Sequence, residues 1–383
     1  MEEQHQTAKP HDEQAAAADV LPRMNSSRKG EASYANNSRF QEEIAAATKA
    51  ARREAAAALY RSRGRPAAMA VADLGCATGP NALLMASDAV EAVLAECARL
   101  EHAPPPELHV FLNDLPANDF NAIFRLLPSS PLAAGGCFVS AWPGSFYGRV
   151  FPAASLDYVV SSSSLHFLSK APPKLLSING LDHGRLYISE GSPAAALDAY
   201  RAQFHSDFTS FLSCRAAEVK PGGALLLTFV ARRAAAPTAH DCYLWDLLAD
   251  ALMDMAAAGL VDEGKVRSFY APYYGPCPRD LAEAIAGEGS FAVRAMQLFE
   301  TTRRRHIAGD EEEEEVPRKL AVETASTIRA VVEPMLRAHF GSWGSMDSLF
   351  CKYRFLLEVY YRSNITKNKD DLTNVFLALE RKE

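Results

Sequence analysis

The sequence predicts an α/β protein with a mainly parallel, doubly wound sheet beneath a mainly helical cap. Between residues 42 and 230, short apolar segments typical of strands alternate with longer segments of helical periodicity. Strands separated by helices form βαβ units, whose strands run parallel in one sheet. Beyond residue 233 the helical pattern dominates, and Asn374–Leu379 is expected to return to the sheet as a late strand.

Composition excludes several classes of protein. The 383 residues are 48% hydrophobic, which is enough for a large core. A net charge of -7 and a pI near 5.9 argue against nonspecific electrostatic binding of nucleic acid. No apolar run reaches the ~18 residues of a membrane span, and the polar N-terminus has no apolar region typical of a secretory signal. The seven cysteines are dispersed without a CxxC pair, so we expect free thiols and a cytoplasmic location.

The chain divides into three parts. Residues 1–23 are expected to be a disordered tail, residues 24–233 the sheet domain, and residues 234–383 the cap, in which 303–317 form an exposed acidic loop. Helices are predicted at 42–61, 82–100, 199–219, 245–259, 280–288, 320–340 and 346–361. Strands are predicted at 69–72, 108–112, 138–141, 156–160, 224–230 and 374–379, with a turn at 221–223 and either a short strand or irregular chain at 185–189.

The stretch Val71–Asn81, VADLGCATGPN, has the layout of a nucleotide-type site: strand, carboxylate, glycine turn, helix. Gly75 and Gly79 can adopt positive φ and let the backbone lie against a ligand. The spacing is GxxxG, not GxGxxG, and no GK[ST] follows, which argues against a dinucleotide fold and a P-loop. A single acidic residue, Asp73, before the turn suits a ligand with a positive charge and ribose hydroxyls, such as S-adenosylmethionine. A turn without a ligand is the alternative.

Two further loops follow successive strands and should converge on this edge of the sheet. Asp114 ends the second strand, where a carboxylate accepts hydrogen bonds from ribose hydroxyls, and Leu115 follows it. Ser145 and Phe146 follow the third strand, and the ring of Phe146 suits stacking on a purine. Each residue alone is equally well explained as a cap, turn or core residue. Asp73, Asp114 and the Ser145-Phe146 pair, each at or after the end of a successive strand, are harder to explain as caps, turns or core residues.

Hydrolytic chemistry has little support. His166 has the ordinary pKa of a general base, yet a histidine between Leu165 and Phe167 is more often a packed side chain. The sequence shows no Ser-His-Asp order, no paired carboxylates, no His/Cys cluster and no GxSxG nucleophile elbow.

Seven ordered blocks from about Met24 to the C-terminus resemble the plant SABATH methyltransferases. They are SYANNSRFQ, DLGCATGPN, FLNDLPANDFNAIF, PGSFYGRVFP, SLHFLSKAP, YRAQFHSDFTSFLSCRAAEVKPGG and EPMLRAHFG. That family methylates the carboxylates of small acids such as salicylate, benzoate, jasmonate and indole-3-acetate, and in one branch the nitrogens of purine alkaloids. The resemblance implies a Rossmann-like methyltransferase sheet, S-adenosylmethionine as the methyl donor, and a homodimer.

The resemblance also implies site residues. Those implied for the S-adenosylmethionine site are Tyr34, Asp73, Cys76, Asn81, Asp114, Leu115, Ser145 and Phe146. Those implied for the substrate are Gln41, Ser163, His166, Phe167, Leu244, Trp245, Tyr274, Ile328 and Val331. A carboxylate is already ionised at neutral pH, so methyl transfer needs no general base. We therefore assign no proton-transfer residue, and Gln41 and His166 are expected to position the substrate.

The chain departs from the family pattern on the substrate side. Phe167 stands where carboxyl-methylating members have Trp, whose indole N–H is the second donor to the carboxylate beside Gln41. Phe has no donor, and losing a hydrogen bond to a charged group costs about 1.5–3 kcal/mol. Ser163 stands where an aromatic Tyr is common and should enlarge the pocket.

The family's proposed magnesium position is also altered. Its residues here read Asp182, Arg267 and Tyr270, with Phe269 nearby. Because Arg267 would oppose a cation, the sequence predicts no bound metal.

Three hypotheses follow. The first is an S-adenosylmethionine-dependent carboxyl methyltransferase of a small acid. The second is an N-methyltransferase of a heterocycle, for which a weakened carboxylate clamp matters less. The third is a diverged, weakly active or inactive member that binds ligand without turnover. The sequence alone does not identify the acid.

Overall fold

A computed structural model describes residues 38–133, 135–302, 314–341, 346–364 and 371–383. The strands in these ranges are β1 (Ala68–Leu74), β2 (Glu107–Asp114), β3 (Cys137–Pro143), β4 (Leu156–Ser162), β5 (Val219–Val230), β6 (Phe291–Thr302) and β7 (Asp371–Arg381). Together they form a seven-stranded sheet with the order β3-β2-β1-β4-β5-β7-β6.

The sheet is mainly parallel. β1 pairs in parallel with both β2 and β4, and β3 and β5 continue the parallel arrangement on either side. β7 runs antiparallel to β5, and β6 runs antiparallel to β7. The chain order reverses at β1, so the ligand-binding crevice of such a sheet lies between the carboxyl ends of β1 and β4. The predicted α/β, doubly wound architecture is confirmed.

Helices cover both faces of the sheet. The described helices are α1 (Arg39–Ser62), α2 (Leu84–Arg99), α3 (Phe120–Leu126), α4 (Ala194–Glu218), α5 (Ala239–Ala257), α6 (Glu263–Ser268), α7 (Pro278–Glu288), α8 (Val316–Phe340) and α9 (Met346–Asn364). Successive side chains of a strand point to opposite faces. Met69 and Val71 of β1 therefore belong to the core with α1 and α2, whereas Ala70 and Ala72 belong to the core with α4 and α7.

A third apolar core joins the helices that follow the parallel strands. It is built from α5, α6, α8 and α9, with Leu252, Leu320, Tyr353 and Leu357 fully buried. Phe167, which follows β4, belongs to this core. The helices are thereby attached next to the carboxyl end of the sheet.

The sequence did not predict β6. A register shift between Val293 and Ala295 interrupts the alternation of the strand, which removes the period-two pattern that indicates a strand. The short helices α3 and α6, of seven and six residues, were also not predicted.

Several boundaries also differ. The predicted acidic loop ends earlier than residue 317, because α8 begins at Val316 with Pro317 in its first turn, where proline is favoured. Residues 221–223 lie inside β5 rather than in a turn before it. Residues 185–189 form neither helix nor strand, which is the irregular alternative that the sequence left open. The tail at 1–23 and the loop at 303–313 lie outside the described residues.

Candidate functional site

The loops after β1, β2, β3 and β4 meet at one edge of the sheet. The Gly75 amide donates to the Asn113 carbonyl at 2.9 Å, and the Gly144 amide donates to the Asp114 carbonyl at 2.9 Å. The Ser164 hydroxyl, after β4, donates to the Gly75 carbonyl at 3.2 Å. The structure therefore brings together the loops that the sequence expected to converge.

The turn after β1 depends on residues with positive φ. Gly75 and Gly79 have φ of 75° and 93°, as the sequence predicted. A Cβ on Gly75 would lie 2.8 Å from the Ser164 Cβ and 3.4 Å from the Phe146 ring, so only glycine fits. Ala77 also has a positive φ, 56°, which the sequence did not predict. Hydrogen bonds hold it, because its amide donates to Asp114 and its carbonyl accepts from Asn118, both at 2.7 Å.

Asp114 uses its carboxylate to shape this turn. One oxygen accepts the Ala77 amide and the other accepts the Leu115 amide, each at 2.7 Å. Burial raises the pKa of Asp114, and the two amides partly offset that effect. A carboxylate has about four acceptor sites, so further donors from a ligand can bind here.

Asp73 is a buried acid at the end of β1, with 2% of its surface exposed. Burial raises its pKa to about 8, and the charge of Asp114 adds to the rise. Arg52 opposes the rise, but its guanidinium is paired with Asp88 at 2.9 Å. A cationic ligand at this edge would favour the ionised carboxylate.

The loop with Ser145 and Phe146 is held from behind by a buried ion pair. Arg215 of α4 donates to the carbonyls of Phe146 and Gly148, both at 2.9 Å, and lies 2.8 Å from Glu218. Glu218 accepts the amides of Val150 and Phe151. Sequence reasoning missed this support, because nothing near Phe146 in the chain indicates a partner about 70 residues later.

The other residues implied for the cofactor have different environments. Cys76 is buried, and burial raises its pKa well above the ordinary value, so it stays a neutral thiol. Asn81 donates to both the carbonyl and the hydroxyl of Ser38, at 2.9 and 3.1 Å. The hydroxyl of Ser145 accepts the Tyr147 amide at 3.4 Å. Tyr34 lies outside the described residues.

A cleft opens between the sheet edge and the cap helices. Its empty space, open solvent included, is about 710 Å³. The lining residues are Phe40, Gln41, Ile44, Ser163, His166, Phe167, Val230, Leu244, Trp245, Tyr273, Thr327, Ile328, Val331, Val332 and Leu372. Eight of the nine residues that the sequence implied for the substrate lie in this lining.

Tyr274 is the exception, and its placement corrects the expectation. Its backbone amide donates to the His166 carbonyl at 2.8 Å, while its hydroxyl donates to Asp280 at 3.0 Å in the sheet-side core. Neighbouring side chains in extended chain point in opposite directions. The adjacent Tyr273 therefore faces the cleft, with its ring 5.2 Å from that of His166.

His166 lines the cleft with an uncharged imidazole ring. Its Nδ1 atom accepts the Val230 amide at 3.3 Å, which assigns the ring proton to Nε2. Burial lowers its pKa to about 3, so the ring stays uncharged at physiological pH. An imidazole with this pKa is a poor proton acceptor at neutral pH, in keeping with a positioning role.

Two polar groups of the cleft lack hydrogen-bond partners within the described part of the chain. They are the buried Oε1 of Gln41 and the buried hydroxyl of Ser163. Such groups are costly when left unsatisfied, so a ligand with complementary polar atoms would stabilise this arrangement.

A second cavity adjoins the cleft, with about 400 Å³ of empty space including open solvent. His240 and Cys242 of α5 are among its lining residues. Val230, Tyr273 and Leu372 line both spaces. These three side chains therefore form the wall between the two cavities.

The residues at the family's magnesium position are engaged with their own neighbours. Asp182 accepts the Gly184 amide at 2.9 Å, and Arg267 pairs with Glu263 at 2.7 Å. The Tyr270 hydroxyl bonds to Nδ1 of His183 at 2.6 Å, and Phe269 is buried in the cap core. In the residues that the structure describes, no group of three His, Cys, Asp or Glu side chains could hold a metal. That this protein binds no metal stays a prediction.

Comparison with known families identifies the class of enzyme. A family model described as SAM dependent carboxyl methyltransferase matches residues 22–382. The chain therefore belongs to the S-adenosylmethionine-dependent carboxyl methyltransferases, and the resemblance to the plant SABATH enzymes is confirmed. Its methyl donor is S-adenosylmethionine.

Individual relatives cover most of the chain. A jasmonate O-methyltransferase of Arabidopsis thaliana is 41% identical over 360 residues, which are 87% of this chain and 92% of the relative. A 3,7-dimethylxanthine N-methyltransferase of Camellia sinensis var. assamica is 35% identical over 366 residues, 92% of this chain and 94% of the relative. The solved structure of a loganic acid methyltransferase with S-adenosylhomocysteine matches with a TM-score of 0.79 and 28% identity, covering 94% of this chain and 99% of that one. Within the described ranges, none of the helices combines the length and the hydropathy that crossing a bilayer requires.

Proposed function

We propose that this enzyme transfers a methyl group from S-adenosylmethionine to the carboxylate of a small apolar monocarboxylic acid and releases the methyl ester. The observation that carries the proposal is the composition of the cleft. Its wall is largely apolar, it contains the unpartnered groups of Gln41 and Ser163, and its described lining contains no lysine or arginine. One carboxylate can be bound there by neutral donors, the Ser163 hydroxyl and the amide NH2 group of Gln41, and the remainder of the molecule by apolar contact.

The sheet edge fits the methyl donor. Asp73 offers a buried carboxylate to a cationic group, Asp114 retains acceptor sites for ribose hydroxyls, and the Phe146 ring packs beside Gly75. The cofactor supplies an electrophilic methyl group on a sulfonium. The further residues that we propose for this site are Tyr34, Cys76, Asn81, Leu115 and Ser145.

The protein's own task is to position two molecules and exclude water. The acid is ionised at neutral pH, and the low pKa of His166 leaves that residue neutral, so no proton transfer is required. Alignment of reactants can supply up to roughly 7–11 kcal/mol of the barrier. The apolar cap residues Leu244, Trp245, Ile328 and Val331 would desolvate the carboxylate as they enclose it.

Burial limits the choice of acid. A second carboxylate would meet no cation in the described lining of the cleft, and burying an unpaired charge is costly. We therefore favour monocarboxylic acids with an apolar body over dicarboxylic acids. Jasmonate, the acid in the name of one similar protein, fits this description and serves as the first probe.

We also propose that the enzyme is a cytoplasmic homodimer. All seven cysteines are free thiols, as expected in a reducing compartment. Val322 of α8 and Phe355 and Val359 of α9 are exposed, with 43%, 63% and 49% of their surfaces accessible, and they support an interface between copies. A Phe355→Glu variant that stays dimeric by light scattering would count against this face. We also propose a division into a tail (1–23), a sheet domain (24–233) and a cap (234–383). The separate core of α5, α6, α8 and α9 supports the cap, whereas α7, β6 and β7 of the same range pack with the sheet.

The function is tested in two steps. Isothermal titration with S-adenosylhomocysteine should show binding, and a methyl-transfer screen over jasmonic, salicylic, benzoic, indole-3-acetic and loganic acids should yield a methyl ester. Tight binding without a product from any acid would refute the proposed reaction.

N-methylation of a heterocycle is the competing function, which the 35% identical xanthine-methylating relative favours. The same screen should include 3,7-dimethylxanthine. A methylated xanthine without any methyl ester would establish this alternative, and no product from either class would leave a binding protein without turnover.

A further inference from the structure

Three neutral polar side chains line the cleft without a charged partner. The Oε1 of Gln41 and the hydroxyl of Ser163 are buried and make no hydrogen bond within the described residues. His166 lies in the same wall, and its Nδ1 is already engaged by the Val230 amide, which leaves Nε2–H as the free donor of the ring. Buried polar groups are nearly always hydrogen-bonded. The Ser163 hydroxyl and Nε2–H of His166 can donate to a ligand, and Gln41 can do so when its amide NH2 group, rather than Oε1, faces the ligand. A ligand that accepts several hydrogen bonds would then satisfy all three side chains.

Ser163 is held in a conformation that is unusual for its residue type. It follows the last residue of β4 with a φ of 58°, a region that residues other than glycine rarely adopt. Its amide donates to the Thr228 carbonyl at 2.7 Å, which fixes the backbone there. Strained residues of this kind cluster at ligand sites. Here the strain accompanies a hydroxyl that lines the cleft.

Phe167 contributes no hydrogen bond from its side chain. Its carbonyl accepts the Tyr147 hydroxyl at 2.5 Å, its amide donates to Ser164 at 3.1 Å, and its ring packs 6.0 Å from that of Tyr273. The backbone of this residue is therefore fixed, and its ring supplies only apolar surface. An acid bound in the cleft needs its second donor from another side chain.

We propose that Ser163 is this second donor, and that the Ser163 hydroxyl, the Gln41 amide and Nε2–H of His166 together bind the substrate carboxylate. The inference rests on the proposed function, because it assumes that the ligand of the cleft is an acid. Ser163 thereby donates the hydrogen bond that an indole N–H donates where Trp stands at the position of Phe167.

The neutrality of this set suits methyl transfer. Three uncharged donors satisfy the carboxylate oxygens without cancelling the negative charge that makes them nucleophilic. A lysine or arginine in the same place would form an ion pair with the acid and stabilise its ground state. The counter-charge instead comes from the sulfonium of the cofactor.

The test compares two neighbouring serines. Ser163→Ala removes the hydroxyl, and Ser163→Gly removes it while relieving the strain of the positive φ, so at least one variant should fold. Ser162→Ala is the matched control, because its hydroxyl is also buried and unpartnered but does not line the cleft. Each variant is assayed with jasmonic acid at saturating cofactor, and its affinity for S-adenosylhomocysteine is measured by calorimetry.

Both Ser163 variants should raise KM for the acid by about 10- to 150-fold, the factor that corresponds to one hydrogen bond to a charged group. Their affinity for S-adenosylhomocysteine should stay within about twofold of the unmodified enzyme, and Ser162→Ala should change neither quantity. An unchanged KM in both Ser163 variants, or an equal rise in Ser162→Ala, would overturn the proposal.

Restoring an indole gives an independent readout. In the Ser163→Ala background, Phe167→Trp should lower KM for the acid by about tenfold or more, because it returns a donor to the carboxylate. If Phe167→Trp does not lower KM for the acid in this background, residues 163 and 167 do not bind the same carboxylate. A result in which the unmodified enzyme methylates no acid, and its complex with S-adenosylhomocysteine binds none, would refute the proposed function, and this inference with it. Normal turnover with insensitive Ser163 variants refutes the inference alone.

Discussion

The side-chain amide of Asn81 donates to both the carbonyl and the hydroxyl of Ser38, at 2.9 and 3.1 Å. Ser38 is the N-cap residue of α1, and Gln41 lies in the first turn of that helix. Asn81 lies after the glycine turn, where we propose that the methyl donor binds. Its hydrogen bonds to Ser38 therefore connect that segment to the end of α1 that carries Gln41, a proposed substrate residue. The hydrogen bonds between Asn81 and Ser38 thereby link the two proposed ligand sites.

Asn81→Ala should weaken acid binding as well as cofactor binding. If acid binding loses the equivalent of one of the two hydrogen bonds, about 0.5–1.5 kcal/mol, we expect KM for the acid to rise about 2- to 13-fold. Asn118→Ala is the control, because Asn118 bonds to the Ala77 carbonyl in the cofactor turn and not to α1. Steady-state kinetics with both substrates would contradict this coupling if the two variants raised KM for the acid equally.

Gly75→Ala should abolish cofactor binding and lower the free energy of unfolding. The positive φ alone costs an alanine roughly 1–2 kcal/mol, and the new Cβ would also press on Ser164. Gly180→Ala separates the two effects, since Gly180 has a φ of 76° with nothing within 4 Å of an added Cβ. Chemical denaturation and calorimetry should show a modest loss for Gly180→Ala and a larger one, with lost binding, for Gly75→Ala. Equal losses would rule out the steric account.

Cofactor affinity should rise with pH until about pH 8. The raised pKa of Asp73 keeps the carboxyl protonated in the free protein below that value, and a cationic ligand must displace the proton. Affinity for S-adenosylmethionine, which carries the cationic sulfonium, should therefore increase by up to about tenfold per pH unit below pH 8 and level off above it.

Calorimetry in two buffers with different heats of ionisation would detect the released proton. Asp73→Asn should weaken binding and remove most of this pH dependence. The neighbouring Asp114 also has a raised pKa and is left to titrate in that variant. If the slope is retained in full, Asp73 is not its source.

Arg215→Met should destabilise the protein by about 3–5 kcal/mol, because it removes the buried ion-pair partner of Glu218 and leaves only the half-exposed Arg149 beside that carboxylate. It should also weaken cofactor binding, since the Phe146 loop loses two hydrogen bonds. Arg149→Ala is the control: Arg149 faces the same carboxylate at 3.4 Å but is 48% exposed, so a change below about 1 kcal/mol is expected. Denaturation curves that shift equally for both variants would contradict this assignment.

The sequence predicted the parts of the molecule whose signals are local. Asp73 and the positive φ of Gly75 follow from a strand that ends in a glycine turn, and the parallel order follows from alternating helices and strands. The support of Arg215 for the Phe146 loop depends on residues that are distant in the chain, and no periodicity reveals it. Tyr273 was missed for a different reason: two adjacent tyrosines look equivalent until the backbone direction shows which ring faces the cleft. The interrupted alternation of β6 concealed that strand.

Val230, Tyr273 and Leu372 form the wall between the two cavities. This wall can change in evolution more readily than the site of the methyl donor. The groups that we propose for the methyl donor, such as Asp73 and Asp114, lie at strand ends, where one change disturbs several hydrogen bonds at once. Tyr273 belongs to this wall and lies outside the strands, so a shorter residue in its place would join the smaller space to the larger one without altering any strand. An enzyme built in this way can acquire bulkier substrates by a single substitution while its methyl-donor site is conserved.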